Sequence, residues 1–139
     1  MAEYNLFISH SWNYSDAYEK LCLLLDKANY FKYKNYSIPK DNPFIILAKT
    51  ETRYRIALKS KIRDQMKYAS VVLIMAGVYS SYSDSINLEI EVALELEKPI
   101  LAIEPWGSEK TSKIVKEKAT KIVSWSTSSI VDAIIEISI

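Results

Sequence analysis

An α/β fold is what this sequence predicts: a flavodoxin-like three-layer sandwich around a five-stranded parallel sheet in the order 2-1-3-4-5. Three observations predict it. Strand-like and helix-like patterns alternate along the whole chain, which calls for parallel pairing through helical crossovers. Two strand patterns, Ser70–Met75 (SVVLIM) and Pro99–Ile103 (PILAI), are apolar on both faces, as strands covered by helices on either side must be. The 139 residues carry no internal repeat, linker or low-complexity stretch, so a single domain over 1–139 is expected.

The elements follow in order. Tyr4–Ser9 (YNLFIS) reads as the first strand, and His10-Ser11-Trp12-Asn13-Tyr14-Ser15-Asp16 as its loop, with Ser15 or Asp16 capping the next helix. Tyr18, Leu21, Cys22, Leu25 and Ala28 recur at i, i+3, i+4 and i+7, so that helix packs one face on a core. Lys34–Ile38 reads as a short second strand, ended by Pro39 and the turn residues Lys40-Asp41-Asn42-Pro43. Tyr54, Leu58, Ile62 and Met66 return every fourth residue, marking a helix over Thr52–Lys67. Ser70–Met75 is the central strand, followed by the polar loop Tyr79–Ser85 and a helix from Ile86 to about Leu96. Pro99–Ile103 is the fourth strand, closed by Pro105-Trp106-Gly107. A short helix over Lys110–Lys118, a last strand over Lys121–Ser124 and a helix from Ser128 or Ser129 to Ile137 complete the pattern.

Composition excludes several classes of function. With 18 Lys and Arg against 17 Asp and Glu, the formal net charge is +1, so the basic surplus that duplex nucleic acid or an anionic membrane attracts is missing. No apolar run approaches the ~18 to 20 residues of a membrane span, and MAEYNLFISH lacks the basic and apolar regions of a signal peptide, so a cytoplasmic protein is expected. One Cys, one His and two Gly rule out an intrachain disulfide, a usual Cys/His zinc site, GxGxxG and a P-loop. Cys22, within Leu21-Cys22-Leu23-Leu24-Leu25, reads as a small buried hydrophobe. Neither a metal nor a resident cofactor is expected.

In a 2-1-3-4-5 sheet the crevice opens outside the carboxyl ends of the strands, where strands 1 and 3 part. The loops there are Ser9–Ser15 and Ala76–Ser85, the stretches richest in hydroxyls and aromatics. Along the helix after strand 3 each residue turns ~100° from the one before, counted from Ile86. Asn87, Glu91 and Glu95 then share a wet face between about 100° and 180°, whereas Ile90, Ala93 and Leu94 lie on one apolar stripe and Leu88, Val92 and Leu96 on another. Glu89 falls near 300°, between the two stripes, in the first turn after the loop. A carboxylate in an apolar wall costs free energy as an anion, so it has a raised pKa, a partner or a ligand. Two roles fit Glu89 on that ground: a site residue, or a structural carboxylate paired with a loop donor.

His10 follows Ser9 at a strand end, so the two side chains point to opposite sides and form no nucleophile and base pair by themselves. An imidazole bonded to loop backbone is the plainer reading. Trp12, Tyr14, Tyr36 and Trp106 read as rim packing, with stacking on a base the alternative. Lys32, Lys34 and Lys40 read as surface charge.

Leu6-Phe7-Ile8-Ser9-His10-Ser11, followed after strand 3 by Ser85-Ile86-Asn87-Leu88-Glu89-Ile90-Glu91-Val92-Ala93 and Glu97-Lys98-Pro99-Ile100, resembles the TIR superfamily. More closely, the chain is similar to the bacterial and archaeal TIR-like group of the Thoeris anti-phage system. Trp12-Asn13-Tyr14-Ser15, Asn35-Tyr36-Ser37-Ile38-Pro39, Pro105-Trp106-Gly107 and Ile122-Val123-Ser124-Trp125 extend the likeness over nearly the whole chain.

The resemblance implies a flavodoxin-like fold and cleavage of the nicotinamide–ribose bond of NAD, which is a substrate and not a cofactor. Thoeris members make a cyclic ADP-ribose isomer, so the implied product is a signal, cyclic or hydrolysed, that acts on a separate effector protein. Assembly into a homo-oligomer on activation is also implied. The family's catalytic glutamate falls on Glu89. Phe7, Ser9 and His10 fall where the family lines its nucleotide pocket, and Ser11, Trp12, Tyr36, Ser37 and Ser85 are further candidates for binding substrate, although Ser85 departs from the family, which commonly has Trp four residues before the glutamate. Ser9, Ser11 or loop hydroxyls would bind phosphate or ribose, and Trp12 or Tyr36 would stack on a ring.

A non-enzymatic TIR interaction module is the alternative reading. A phosphate-accepting receiver domain is rejected, because it needs an aspartate where the chain has Ile74-Met75-Ala76 and an acidic pair where it has Ser9-His10-Ser11. A flavin-binding domain is rejected because the loop after strand 1 lacks the phosphate cradle.

Overall fold

The computed structural model describes residues 3–9, 17–36, 52–75, 83–104 and 113–139. Its strands are β1 (Glu3–Ile8), β2 (Lys32–Asn35), β3 (Val71–Met75), β4 (Ile100–Glu104) and β5 (Lys121–Ser124). The helices among the described residues are α1 (Ala17–Asp26), α2 (Thr52–Met66), α3 (Ser83–Glu95), α4 (Lys113–Lys118) and α5 (Thr127–Ile137). All strand pairs are parallel and the sheet order is β2-β1-β3-β4-β5. The expected fold class is therefore observed.

Because successive strand residues point to opposite faces, each central strand feeds two cores. Phe7, Val72, Ile74, Ile100 and Ala102 pack with Leu58, Ile62 and Met66 of α2, Leu88, Ile90, Val92 and Ala93 of α3 and Val115 of α4. Leu6, Ile8, Val71, Leu73, Leu101 and Ile103 pack on the other face with Leu21 and Leu25 of α1 and Ile130, Val131, Ala133 and Ile134 of α5. Val71 to Ile74 are all fully buried, as a strand apolar on both faces requires. Cys22 is half-buried and packs at the edge of the second core, less enclosed than its apolar neighbours suggest.

Some boundaries differ from expectation. β2 lies earlier than Lys34–Ile38, with Glu3 opposite Lys32 and Leu6 opposite Asn35. As an edge strand it buries little, so KYKN shows almost no apolar alternation. What places it is aromatic packing outside the expected window: Phe31 stacks on Tyr4 at 5.4 Å and on Tyr33 at 5.8 Å between ring centroids.

The helix expected from Ile86 begins at Ser83. Its C-terminal end is a Schellman motif that sequence inspection did not anticipate. The Lys98 N–H donates to the Ala93 carbonyl at 2.8 Å and the Glu97 N–H to the Leu94 carbonyl at 3.2 Å, with Glu97 in the left-handed region at φ 56°. α5 starts at Thr127, one or two residues before the expected Ser128 or Ser129, because Ser126 is the N-cap and accepts from the Ser129 N–H at 3.2 Å.

Candidate functional site

β1 and β3 part at their carboxyl ends, and the backbone there positions the first candidate residues. Ser9 follows β1, and its N–H still donates to the Leu73 carbonyl at 3.0 Å, so the strand geometry continues through it. Alternation then puts Ser9 on the same side of the sheet as Phe7, the side covered by α2, α3 and α4. Phe7 is buried in that core together with Leu88 and Ile90, the neighbours of Glu89 in α3.

Glu89 is 4% exposed and its Oε2 is shut off from solvent. It lies in the apolar arc where the helical projection puts it. Since α3 starts one turn early, Glu89 stands in the second turn of the helix and not the first. Among the described residues the buried polar or charged side chains are Ser9 and Glu89, and both have interacting neighbours. Leu94 departs from the projection at 48% exposed, because its direction borders the wet face of α3.

Tyr36 follows β2, its N–H donating to the Leu6 carbonyl at 2.8 Å. Its ring stacks on Tyr68 at 5.5 Å between centroids, so one face of this expected stacking residue is taken up within the chain. Ser85 belongs to the first turn of α3, and its side chain lies outside the described residues. His10, Ser11, Trp12 and Ser37 also lie outside them.

The wet face of α3 holds a feature that sequence inspection missed. Lys59 of α2 reaches Glu91 at 2.7 Å and Glu95 at 3.0 Å, and Arg63, one turn further along α2, pairs with Glu95. Hydrogen bonds to Glu91 and then Glu95 raise the Lys59 pKa above the ordinary lysine value. The bond from Lys59, reinforced by Arg63, lowers that of Glu95. Two like charges four residues apart on each helix were the visible signal, since such pairs repel unless a neighbouring helix answers them.

An open groove of about 430 Å³, lined by Lys20, Leu23, Leu24, Asp26, Lys27 and Trp125, lies on the α1 and α5 side of the sheet. It is on the opposite face from Glu89. Among the described residues no three His, Cys, Asp or Glu side chains are grouped to hold a metal ion, and no helix is long and apolar enough to cross a membrane.

A doubly wound parallel sheet with a buried carboxylate on the helix leaving its switch-point strand defines an α/β domain of the flavodoxin-like class. Residues 7–110 match the family described as "Thoeris protein ThsB, TIR-like domain", and the chain belongs to that family. A comparison with curated proteins finds no match. Among solved structures, one described as "S. aureus MnaA-UDP co-structure" is similar, with a TM-score of 0.56 and 11% identity over 89% of this chain. This chain spans 38% of the length of that one, and at this identity the likeness concerns the fold alone.

Proposed function

We propose that this chain is a TIR-type enzyme that consumes NAD, cleaving the nicotinamide–ribose bond to form an ADP-ribose signal, cyclic or hydrolysed, in antiphage defence. The observation that carries the reading is the buried polar pair, Ser9 and Glu89, on one side of the sheet next to the switch point. Membership of the Thoeris family supports it.

The chemistry asks little of the protein beyond a fixed negative charge. When the bond between ribose C1′ and the pyridinium nitrogen breaks, nicotinamide leaves neutral with the electron pair and positive charge grows on the ribose. Glu89, held in a low-dielectric wall, stabilises that charge more in the transition state than in the ground state. Ser9 and Ser11 bind ribose or phosphate, Tyr36 or Trp12 packs a ring, and Phe7, His10, Ser37 and Ser85 complete the pocket. Water attacks C1′ to give ADP-ribose, or an atom of the substrate's own adenosine part attacks it to close a ring, which requires water to be excluded. The product acts on a separate effector protein in the cytoplasm, and activation assembles the chain into a homo-oligomer.

The alternative is a non-enzymatic interaction module in which Glu89 is structural. The observation that favours it is the 4% exposure of Glu89, which substrate has to uncover. Incubating concentrated protein with NAD and a crowding agent, and following nicotinamide and ADP-ribose products by chromatography and mass, separates the two. The enzyme releases nicotinamide and Glu89→Gln does not. Equal release from both proteins removes Glu89 from the mechanism. No release from wild type, even in lysate from phage-infected cells, leaves the module.

A further inference from the structure

The ion-pair ladder between α2 and α3 occupies the face of α3 turned away from Glu89. On the helical projection Glu91 and Glu95 lie roughly 160° and 120° from Glu89. Whatever fixes the roll of α3 about its axis therefore fixes the direction in which the Glu89 carboxylate is presented. Apolar packing by Leu88, Ile90, Val92 and Ala93 holds α3 against the sheet. Such packing holds α3 close to the sheet, and polar contacts with defined geometry add to it a preference for one roll and slide.

The ladder has that geometry. Lys59 bridges Glu91 and Glu95 at 2.7 and 3.0 Å, and Arg63 completes the set through Glu95. The Lys59 side chain is 27% exposed, so it is held against the helices and does not extend into solvent. On each helix alone the arrangement is unfavourable, Lys59 with Arg63 and Glu91 with Glu95 being like charges at i, i+4. Docking cancels both repulsions in one register only. A slide of one turn in either direction leaves Lys59 only one carboxylate, its second position facing the uncharged Asn87 in one direction and Pro99 in the other. The four charges thus select a single placement of α3.

We infer that Lys59 is a positioning residue for Glu89, its bridge to Glu91 and Glu95 setting the roll and register of α3 and so the place of the carboxylate. As far as catalysis is concerned, the inference rests on the reading of Glu89 as the catalytic carboxylate. The placement of Glu89 is a physical property that can be read without it.

The test compares wild type with Lys59→Met, which keeps the length of the side chain and removes the charge, and with Lys59→Arg, which can still bridge two carboxylates. Two quantities are read on each. The first is the titration of the Glu89 carboxyl by NMR in glutamate-labelled protein, assigned through Glu89→Gln. The second is kcat and KM for nicotinamide release. Lys59→Met is expected to move the Glu89 titration by about half a pH unit or more and to lower kcat about tenfold with KM changed less than about twofold, as slight misplacement of a catalytic group does. Lys59→Arg is expected to keep both near their wild-type values.

An unmoved Glu89 titration in Lys59→Met overturns the inference. So does a change that Lys59→Arg shows in full, or one that appears equally in a variant destabilised to the same extent elsewhere, such as Leu25→Ala on the opposite face of the sheet. If wild type releases no nicotinamide, the catalytic reading of Glu89 fails while the titration still decides whether Lys59 positions it.

Discussion

The hydroxyl of Tyr33 on β2 donates to Oδ1 of Asp26 at the end of α1, 3.0 Å away, tying the edge strand to the helix that precedes it. Burial first, then Cys22 and Asp26, push the Tyr33 pKa well above the ordinary tyrosine value, because a phenolate there would be poorly solvated and would face a carboxylate. Tyr33→Phe is expected to cost about 1 kcal/mol in urea unfolding at pH 7. A raised folded pKa means that the tyrosine's contribution is complete below the unfolded pKa, about 10, and is lost as pH rises through the folded value. The stability gap between wild type and Tyr33→Phe should therefore hold from neutral pH to about 10 and shrink above it. A gap that widens above pH 10 would contradict the assignment.

The α2–α3 ladder has an acid limit and a basic limit. Glu95 is depressed, so its contribution is present above the unfolded carboxylate value and is lost as pH falls through the folded one. Lys59 is raised, so its contribution is present below the unfolded lysine value and is lost as pH rises through the folded one. Wild type should unfold at a higher temperature than Glu95→Gln at neutral pH. The difference should close below about pH 4 and narrow in about 1 M salt, where exposed pairs are screened.

Glu97 holds a left-handed conformation at φ 56° that a residue with a Cβ adopts at a cost. Glycine adopts it freely and is the usual choice at that position of a Schellman motif. Glu97→Gly should raise stability by about 0.5–1 kcal/mol, read as a higher urea midpoint at unchanged slope.

Two leucines test the assignment of inside and outside. Leu73, fully buried in the central strand, should cost about 2–5 kcal/mol when replaced by Ala. Leu94, 48% exposed although the helical projection put it in an apolar stripe, should cost less than about 1 kcal/mol under the same urea titration.

Much of this architecture could be read locally. The central strand is legible because Val71 to Ile74 form an unbroken apolar run, and the last strand, Lys121–Ser124, because turn residues and helical patterns bound it. Glu89 is legible because its angular position within one helix is a property of that helix alone, and its burial follows once the apolar stripes on either side are covered. β2 is not legible in the local pattern because a strand with one edge unpaired needs few apolar residues. Its position depends on Phe31 stacking with Tyr4, far away in sequence.

Hydrophobic periodicity and turn chemistry act over a few neighbouring residues, so they were enough to mark the alternating strands and helices, the two-sided burial of β3 and the candidate carboxylate at position 89. The partners of Lys59, 32 and 36 positions further along the chain, the Tyr33–Asp26 bond and the left-handed turn at Glu97 came only with the folded structure. Each depends on how one packed element sits against another, and that relation is decided by close packing and electrostatics between segments that no local pattern connects.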